Sequence, residues 1–425
     1  MKLKQRKPDY KWVILAACFI MEFFCLGFCS GNKSLYLSAI TEALDIKRSL
    51  FAINDSCRYI ATAVLNLFFG AMITKWGVRK MVSAGVLCLA ASFLVNAYAV
   101  EVYHFYIGGV LLGMGLAFSG TTMGSYIVKQ WCSTNIGRYT GIVLAANGIG
   151  GAVAAQIISP MINDPSNAFG YRNSYKFVAV CVLVVGVIVV ALLRDKPKEG
   201  HAIPVSGTKK ARGQIWYGIE YDVLKKRGYF YLAAICVFLT GTILQSINGI
   251  YAAHMKDIGM DAGYVATVAS VFSLTLTGTK ILVGLLYDRL GLRVSLLICQ
   301  AATILAFVFL IFLSASASGA VMAMAFGILF AVGIPLETIV VPLVTNELFG
   351  SVSYNKLLGI MMALNTAGFA LGSPIVNLFF DASGSYIPVL WIFCGLMLMI
   401  MITFQFVITA AQKDKEAILS ALEET

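Results

Sequence analysis

The chain has 425 residues, of which 59% are hydrophobic and only 12% are charged, and its mean hydropathy is +0.83. Soluble domains are usually about 45–50% apolar and about 25% charged, so the composition excludes an ordinary soluble protein. The net charge of +11 does not indicate nucleic-acid binding, because the basic residues lie mainly in the tails and in loops between apolar segments.

Apolar segments of about 20 residues recur along the whole chain, and each is long enough to cross the roughly 30 Å hydrocarbon core of a bilayer as a helix. The first segment does not read as a cleaved signal peptide, because it is too long, contains Glu22 and is followed by many similar segments. We therefore predict an all-α membrane protein with twelve transmembrane helices. In chain order, the predicted spans are approximately residues 12–38, 51–73, 81–99, 104–128, 139–160, 175–193, 229–252, 263–286, 294–314, 319–344, 357–379 and 387–411.

The distribution of Lys and Arg predicts the orientation of these spans. With the amino terminus inside, 24 of the 32 Lys and Arg residues fall on the cytoplasmic side, in the tails, the short loops and the central segment. Lys33, Arg58 and Lys280 lie within spans, and the remaining five fall outside. Since cytoplasmic loops carry the excess of basic residues, we expect a multi-pass protein of the plasma or inner membrane with both termini cytoplasmic.

The longest polar stretch, residues 194–228, separates two groups of six spans. We predict an N-terminal six-helix bundle at 1–193, a cytoplasmic central loop at 194–228, and a C-terminal six-helix bundle at 229–425 that ends in a short cytoplasmic tail. The central loop is expected to contain a short amphipathic or surface segment around Ile215–Leu224.

The two halves resemble each other at a nearly constant offset of 214 to 218 residues. The matching motifs are Lys33-Ser-Leu-Tyr36 and Asn248-Gly-Ile-Tyr251, then Gly70-AMITKW-Gly77 and Gly284-LLYDRL-Gly291, then Gly141-IVLAA-Asn147-GI-Gly150 and Gly359-IMMAL-Asn365-TA-Gly368. Three matches in the same order indicate a duplicated six-helix unit, and hence two pseudo-symmetric bundles. Secondary transporters built from such repeats bind their substrates near the bilayer midplane, at the repeat interface.

The loop after the eighth predicted helix has the pattern G-x-x-x-D-R-x-G-x-R. Its residues are Gly284, Asp288, Arg289, Gly291 and Arg293. The glycines permit a tight turn, and the carboxylate is expected to accept bonds from a neighbouring helix end and from arginine, which would lock one arrangement of the half.

This pattern resembles the signature loop of the major facilitator superfamily. The copy in the first half keeps Gly70, Gly77 and Arg79, but has Thr74 where the family usually has aspartate. The resemblance implies the major facilitator fold, with both loops acting in gating.

Within that superfamily the chain is most similar to the monocarboxylate transporters and the oxalate–formate antiporters. The pair Lys33-Ser34 resembles the Lys-Ser pair of the former, and Gly249-IYAAHMKDIG resembles the exit of the seventh helix in the latter. Lys280 stands four residues before Gly284, where this group has an arginine. Asn365 stands about where the oxalate carrier has a second lysine. The resemblance implies an anionic cargo.

Lys280 lies inside an apolar span and has no carboxylate within seven residues on either side. Ser273, Thr277, Lys280 and Gly284 recur at spacings of four, three and four residues, which places them on one helix face. The lysine is expected roughly 10 Å into the membrane. An ionisable residue at such a position is a functional candidate by default. We interpret Lys280 as the anion-binding residue and Thr277 as a neighbouring contact, with a structural ion pair to Glu337 or Glu22 as the alternative.

Three further charges lie in the first two spans. Lys33 follows Glu22 by eleven residues, close to three helical turns, so a continuous helix would place both on one face roughly 16 Å apart. Lys33 is a candidate second anion contact or proton-coupling site, because a buried lysine can release its proton when the anion leaves; snorkelling to the interface is the alternative. Glu22 is a further proton-coupling candidate. An i,i+3 ion pair with Asp55 accounts structurally for Arg58.

Glu337 lies two residues after Pro335, and the proline frees a backbone carbonyl and can kink the tenth helix. Its carboxylate is either a proton-coupling site or the partner of Lys280. Neutral polar residues at matched inner positions are candidate substrate contacts, with helix-to-helix hydrogen bonding as the alternative. They are Asn147, Gln245, Asn248 and Asn365, to which the helix-1 motif adds Tyr36.

These features predict a secondary active transporter of a small organic anion, most simply a monocarboxylate, that works by alternating access through proton symport or anion exchange. The alternative is a proton-coupled exporter of cationic or amphipathic drugs that uses Glu22 and Glu337. A membrane receptor is disfavoured by the duplicated halves. No nucleophile–base pair, metal-ligand spacing or nucleotide-binding loop occurs, so we expect no enzyme activity, cofactor, metal or nucleic-acid partner. The partners are the anion, the lipid bilayer and, for symport, protons, and the chain is expected to be a monomer.

Overall fold

The computed structural model describes residues 10–132, 136–164, 166–194, 218–338, 340–350 and 352–423. Within these ranges the chain is helical and contains no strand. The helices are α1 (Tyr10–Glu22), a π-helical segment (Phe23–Phe28), α2 (Lys33–Ala43), α3 (Arg48–Ala97), α4 (Val102–Ser119), α5 (Thr121–Trp131), α6 (Ile136–Ile162), α7 (Gly170–Leu192), α8 (Tyr221–Leu224), α9 (Gly228–Asp257), α10 (Ala262–Ile311), α11 (Ala317–Gly333), α12 (Pro335–Thr338), α13 (Val340–Phe349), α14 (Tyr354–Ser383) and α15 (Ile387–Glu423).

Ten helical stretches of the described chain are long and apolar enough to cross a membrane, and two of them, α3 and α10, have 50 residues each. Each of these two contains one non-helical glycine, Gly77 with φ 75° and ψ 169°, and Gly291 with φ 75° and ψ 174°. This backbone conformation is essentially restricted to glycine, so the chain turns there. Each 50-residue helix is therefore two spans joined at a kink, and the predicted all-α fold with twelve spans is confirmed.

The described chain groups into two compact units. The first comprises Met1–Ile46 and Cys57–Lys209, and the second comprises Lys47–Ser56 and Lys210–Thr425. The predicted limits of the central loop stay a prediction, because residues 195–217 lie outside the described residues. Of the amphipathic segment expected around Ile215–Leu224, residues 215–217 also lie outside the described residues, and the short helix α8 forms its end.

The duplication is visible in how helices pack inside each unit. In the first unit, a Cβ added to Gly150 of α6 would collide with the backbone carbonyl of Phe23. In the second unit, a Cβ added to Gly368 of α14 would collide with the backbone carbonyl of Phe238 on α9. Glycine lets two membrane helices approach until their backbones touch. The two contacts are equivalent under the sequence offset, so the repeated motif ending at Gly150 and Gly368 is a packing motif.

Replacing Gly150 or Gly368 by alanine should lower stability by about 1–3 kcal/mol, the usual cost of overpacking. Gly141 and Gly359 are the matched controls, since they lie on the same two helices and an added Cβ would meet nothing within 4 Å. There alanine should be neutral or stabilise the helix by up to about 1 kcal/mol. Thermal unfolding of the purified variants in detergent measures both effects. Equal melting temperatures for all four variants would contradict the assigned packing.

Three predicted spans are interrupted, and of these only the break in the tenth span was expected, from its proline. In the first, the π-helical segment Phe23–Phe28 and a turn at residues 31–32 separate α1 from α2. The predicted common face of Glu22 and Lys33 is therefore wrong, because it assumed one regular helix of 3.6 residues per turn. The fourth span is interrupted at Gly120, whose backbone is extended, and the tenth is interrupted at Ile334. π-Helical turns inside α-helices are frequent at functional sites.

The first turns of α3 are anchored within the second unit. Arg48 donates from Nη1 and Nη2 to the two carboxylate oxygens of Asp257 at 2.5 and 2.7 Å. Asp381 accepts hydrogen bonds from the main-chain N–H groups of Arg48 and Ser49 at 3.2 and 3.0 Å. A carboxylate at a helix N-terminus satisfies amides that lack intrahelical partners and complements the helix dipole. This stretch of α3 is thereby held by two separate acidic residues.

Candidate functional site

In the second unit, three of the predicted site residues gather around a fourth, Glu337, which is 3% exposed. Gln245 on α9 donates from Nε2 to Glu337 Oε1 at 2.7 Å, and Asn248 donates from Nδ2 to Gln245 Oε1 at 3.4 Å. Asn365 on α14 donates from Nδ2 to the main-chain oxygen of Glu337 at 2.7 Å. Side-chain amides from two neighbouring helices thus hold Glu337, one at its buried carboxylate and the other at its main-chain oxygen.

Pro335, two residues before Glu337, lies at the break in the tenth span. Pro335 has no N–H to give to the carbonyl of Ala331, four residues earlier. That carbonyl accepts a hydrogen bond from Thr279 Oγ1 of α10 at 2.8 Å. The carbonyl freed by the proline, which the sequence predicts, is therefore satisfied by the residue next to Lys280. Sequence reasoning missed Thr279, and its position beside the lysine was the available signal.

Lys280 lies half-buried on the part of α10 that precedes the kink at Gly291. Ser273, two turns earlier, is 6% exposed, whereas Ile281 and Leu285 are 61% and 50% exposed. Thr277 is half-buried, and its Oγ1 donates to the main-chain oxygen of Ser273 at 3.3 Å. The helix therefore carries Lys280 away from its exposed aliphatic face, as the spacing of these residues predicts.

Asn365 also serves helix packing. Its side chain is completely buried, and its Oδ1 lies so close to Gly241 of α9 that an added Cβ there would be only 2.7 Å away. The amide therefore packs against Gly241 of α9 and forms a hydrogen bond with Glu337 of α12. This arrangement matches helix-to-helix hydrogen bonding, the alternative account of the neutral polar residues. Substrate contact by Asn365 stays a prediction.

In the first unit, Glu22 is completely buried at the end of α1, directly before the π-helical segment. Gly124 of α5 lies against it, since an added Cβ there would be 2.5 Å from Glu22 Oε1. Gly124, the last residue of the Gly120-TTM-Gly124 motif, thus leaves room for the carboxylate. The backbone at Gly120 is extended, and α5 begins at the next residue. Asn147, another predicted contact, lies half-buried on α6.

Lys33 is the first residue of α2 and is half-buried. The turn before it is fixed by Asn32, which donates from Nδ2 to the main-chain oxygen of Gly151 at 3.0 Å. Lys33 Nζ lies 5.5 Å from the centroid of the Tyr59 ring, and the guanidinium carbon of Arg58 lies 4.3 Å from the same centroid. The structure therefore places two cations of the first unit around one aromatic ring.

Tyr36 occupies a packing position within the first unit. It is 5% exposed, its hydroxyl shares a 2.6 Å hydrogen bond with Ser174 Oγ of α7, and its ring stacks on Tyr175 at a centroid distance of 4.4 Å. Both its polar atom and its ring are thereby engaged with α7. The predicted substrate contact of Tyr36 is not supported by this geometry.

Each predicted gating loop is tied by its arginine to the last helix of its own unit. Arg79 donates from Nε to the main-chain oxygen of Val190 on α7 at 3.2 Å, and Arg293 donates from Nη2 to Thr409 Oγ1 on α15 at 2.8 Å. Asp288 and Arg289 are exposed. The expected lock at the Asp288 carboxylate stays a prediction.

Among the described residues, no group of three or more His, Cys, Asp or Glu side chains is placed to hold a metal ion. The candidate site in each unit consists of the charged groups in its spans. In the second unit these are Lys280 and the Glu337 network, and in the first they are Glu22, Lys33 and Arg58.

Several known transporters resemble this chain. One is described as an uncharacterized MFS-type transporter of Bacillus subtilis. It is 27% identical over 291 residues, which are 67% of each chain. A sialic acid transporter of Escherichia coli is 23% identical over 313 residues, 73% of this chain and 71% of that one. Human monocarboxylate transporter 2 is 21% identical over 411 residues, 91% of this chain and 83% of that one.

Solved structures and a family model match most of the chain. The crystal structure of the nucleoside transporter NupG superposes with a TM-score of 0.73 at 17% identity, covering 94% of this chain and 99% of that one, which shows the fold. The model of the Major Facilitator Superfamily matches residues 18–241 and again 232–423. The chain therefore belongs to the Major Facilitator Superfamily, as a multi-pass membrane transporter of small molecules and not an enzyme.

Proposed function

We propose that this protein is a secondary active transporter of a small organic anion, most simply a monocarboxylate. The observation that carries the proposal is Lys280, a half-buried cation within an apolar span. A lysine there is costly in a bilayer and usually marks a substrate or ion pathway. An ammonium group pairs with a carboxylate through a charge-assisted hydrogen bond.

The relatives support an anionic cargo. One curated relative is named a sialic acid transporter and another a monocarboxylate transporter, and both kinds of substrate carry a carboxylate group. The alternative of drug export through Glu22 and Glu337 is not favoured, since Gln245 donates to one carboxylate oxygen of Glu337 and the relatives described above are not named as drug exporters.

In the proposed mechanism, the carboxylate of the anion binds the Lys280 ammonium and compensates its positive charge. This compensation lowers the electrostatic cost of rearranging the helices around the lysine, so the loaded protein can change between its inward-open and outward-open states. A glutamate or Lys33 exchanges a proton in the symport version, whereas a second anion resets the site in the exchange version.

The orientation and location belong to the same proposal. The excess of Lys and Arg in the predicted cytoplasmic loops supports a protein of the plasma or inner membrane with both termini cytoplasmic. The protein is proposed to act as a monomer, because each half supplies its own charged residues.

Purified protein in liposomes tests this function. Labelled lactate, pyruvate and N-acetylneuraminate are offered separately, with an imposed proton gradient or with unlabelled anion trapped inside. We expect saturable uptake of at least one carboxylate, driven by the proton gradient for symport or by the internal anion for exchange. Flux of an organic cation such as tetraphenylphosphonium, together with silence for every carboxylate, would contradict the proposal.

A further inference from the structure

A small cavity lies in the second unit beside the break in the tenth span. Its walls come from α9, α10, α13 and α15, and it is also lined by Leu336 of α12, the residue before Glu337. The space open to the centre of a water-sized sphere is about 10 Å³. This is about the space that one water molecule needs, so the cavity suits a single water and excludes an organic substrate.

Two buried polar side chains line this cavity among residues that are otherwise apolar. Thr240 of α9 is 5% exposed, and Gln300 of α10 is 1% exposed. Within the part of the chain that the structure describes, Thr240 Oγ1 and Gln300 Oε1 have no hydrogen-bond partner. A buried polar atom destabilises a protein unless it is hydrogen-bonded. The two oxygen atoms therefore need a partner that the described chain does not supply.

Threonines on the same two helices show how such a hydroxyl is usually satisfied. Thr242 Oγ1 donates to the main-chain oxygen of Phe238 at 2.9 Å, and Thr303 Oγ1 donates to that of Cys299 at 2.8 Å. Both bonds return to the carbonyl four residues earlier, as hydroxyls within helices often do. Thr240 makes no such bond to any described residue, so its hydroxyl is available to a molecule in the cavity.

We propose that the cavity binds one ordered water molecule, which joins Thr240 to Gln300. The water accepts the hydroxyl hydrogen of Thr240 and donates one hydrogen to Gln300 Oε1, so both buried oxygen atoms gain a partner. Ordered waters are one means by which membrane helices satisfy polar groups near a proline break. The water links α9 to α10 beside the break that carries Glu337. The inference goes beyond the proposed function, because it does not depend on the cargo.

Thermal unfolding of the purified full-length protein in detergent tests this site through a double-mutant cycle. The variants are Thr240→Val, Gln300→Met and the two together, because each new side chain is close in shape to the original one. Thr242→Val is the matched control, alone and combined with Gln300→Met. Thr242 is a buried threonine of the same helix whose hydroxyl bonds within α9.

We expect Thr240→Val and Gln300→Met each to melt at a lower temperature than the wild type. Each removes one partner of the water and leaves the other buried oxygen poorly satisfied. The double variant should show a smaller shift than the sum of the two single shifts, since an apolar cavity stays dry and contains no unsatisfied oxygen. The shifts of Thr242→Val and Gln300→Met should instead add.

A dry cavity predicts the opposite sign. If the two oxygen atoms are buried without any partner, removing either of them removes its desolvation cost, so both single variants melt at a higher temperature. Unchanged or raised melting temperatures for Thr240→Val and Gln300→Met would therefore overturn the inference. Lower temperatures with additive effects would overturn it too, because the two side chains would then share no partner.

A density map of the wild type that shows ordered water decides the matter even where a variant fails to fold. We expect one peak within hydrogen-bond distance, about 2.7–3.2 Å, of both Thr240 Oγ1 and Gln300 Oε1. The inference is wrong if such a map shows water elsewhere in the protein interior and no peak in this cavity.

Discussion

Replacing Lys280 by alanine should abolish carboxylate uptake while leaving a folded protein in the membrane. The substitution removes a charge-assisted hydrogen bond, which contributes about 1.5–3 kcal/mol and hence about 10- to 150-fold in affinity. It also removes the positive charge that the anion is proposed to neutralise before the transporter changes state. Initial rates of labelled carboxylate uptake into liposomes, at equal amounts of reconstituted protein, measure the loss.

Two controls separate charge from packing at this position. Lys280→Arg keeps the charge and should retain measurable uptake, whereas Ile281→Ala changes the next residue, which is 61% exposed, and should leave uptake unchanged. Normal uptake by Lys280→Ala would sink the assignment of the anion site. Loss of uptake in Ile281→Ala to the same extent would show that any change in this part of α10 is disruptive.

Replacing Glu337 by glutamine should uncouple transport from the proton gradient without removing the acceptor of the hydrogen bond from Gln245. A glutamine at this position can still accept the hydrogen bond from Gln245, but its amide cannot take up and release a proton. We therefore expect exchange of labelled for unlabelled anion to continue, while accumulation driven by a proton gradient disappears. Both modes are measured on the same liposomes by changing only the internal solution.

Glu337→Ala and Glu22→Gln complete this experiment. Alanine removes the acceptor of Gln245 Nε2, and a buried donor left unsatisfied costs about 1–3 kcal/mol, so this variant should melt at a lower temperature and lose both modes. Glu22→Gln should keep proton-driven accumulation if Glu337 is the coupling residue. The assignment is wrong if Glu337→Gln accumulates anion like the wild type, and loss only in Glu22→Gln would transfer the role to Glu22.

The glycine pattern was the most informative part of the sequence for the fold. Gly77 and Gly291 were placed in matching turns from their motifs, and both have nearly the same positive-φ backbone conformation. Gly150 and Gly368 were matched by spacing, and both lie against a backbone carbonyl of a neighbouring helix. Glycine is informative because only a residue without a Cβ tolerates these conformations and contacts.

The interruptions of the spans were harder to predict from the sequence. Pro335 predicts the break in the tenth span, since proline lacks the N–H that a regular helix needs. No proline marks the π-helical segment Phe23–Phe28 or the extended backbone at Gly120. The π-helical segment begins at a close contact between helices, that of Phe23 with Gly150 of α6, and hydropathy does not report such contacts.

The same distinction applies to the candidate site. Hydropathy and charge placed Lys280, Glu337 and Lys33 inside the membrane, because a charge in an apolar span is conspicuous whatever the fold. The residues that contact these charges come from distant parts of the chain, as Gln245 and Asn365 do for Glu337. In the same way, Lys33 of α2 lies near the ring of Tyr59 on α3, which Arg58 also contacts.

The linear order of residues was therefore sufficient for the membrane class, the duplication and the positions of the buried charges, since each follows from local composition or a repeated spacing. Which charges and amides meet, and that Tyr36 packs against α7, depended on how helices remote in sequence approach one another. That approach is set by small residues and helix breaks acting together in three dimensions, and no single stretch of the chain contains it.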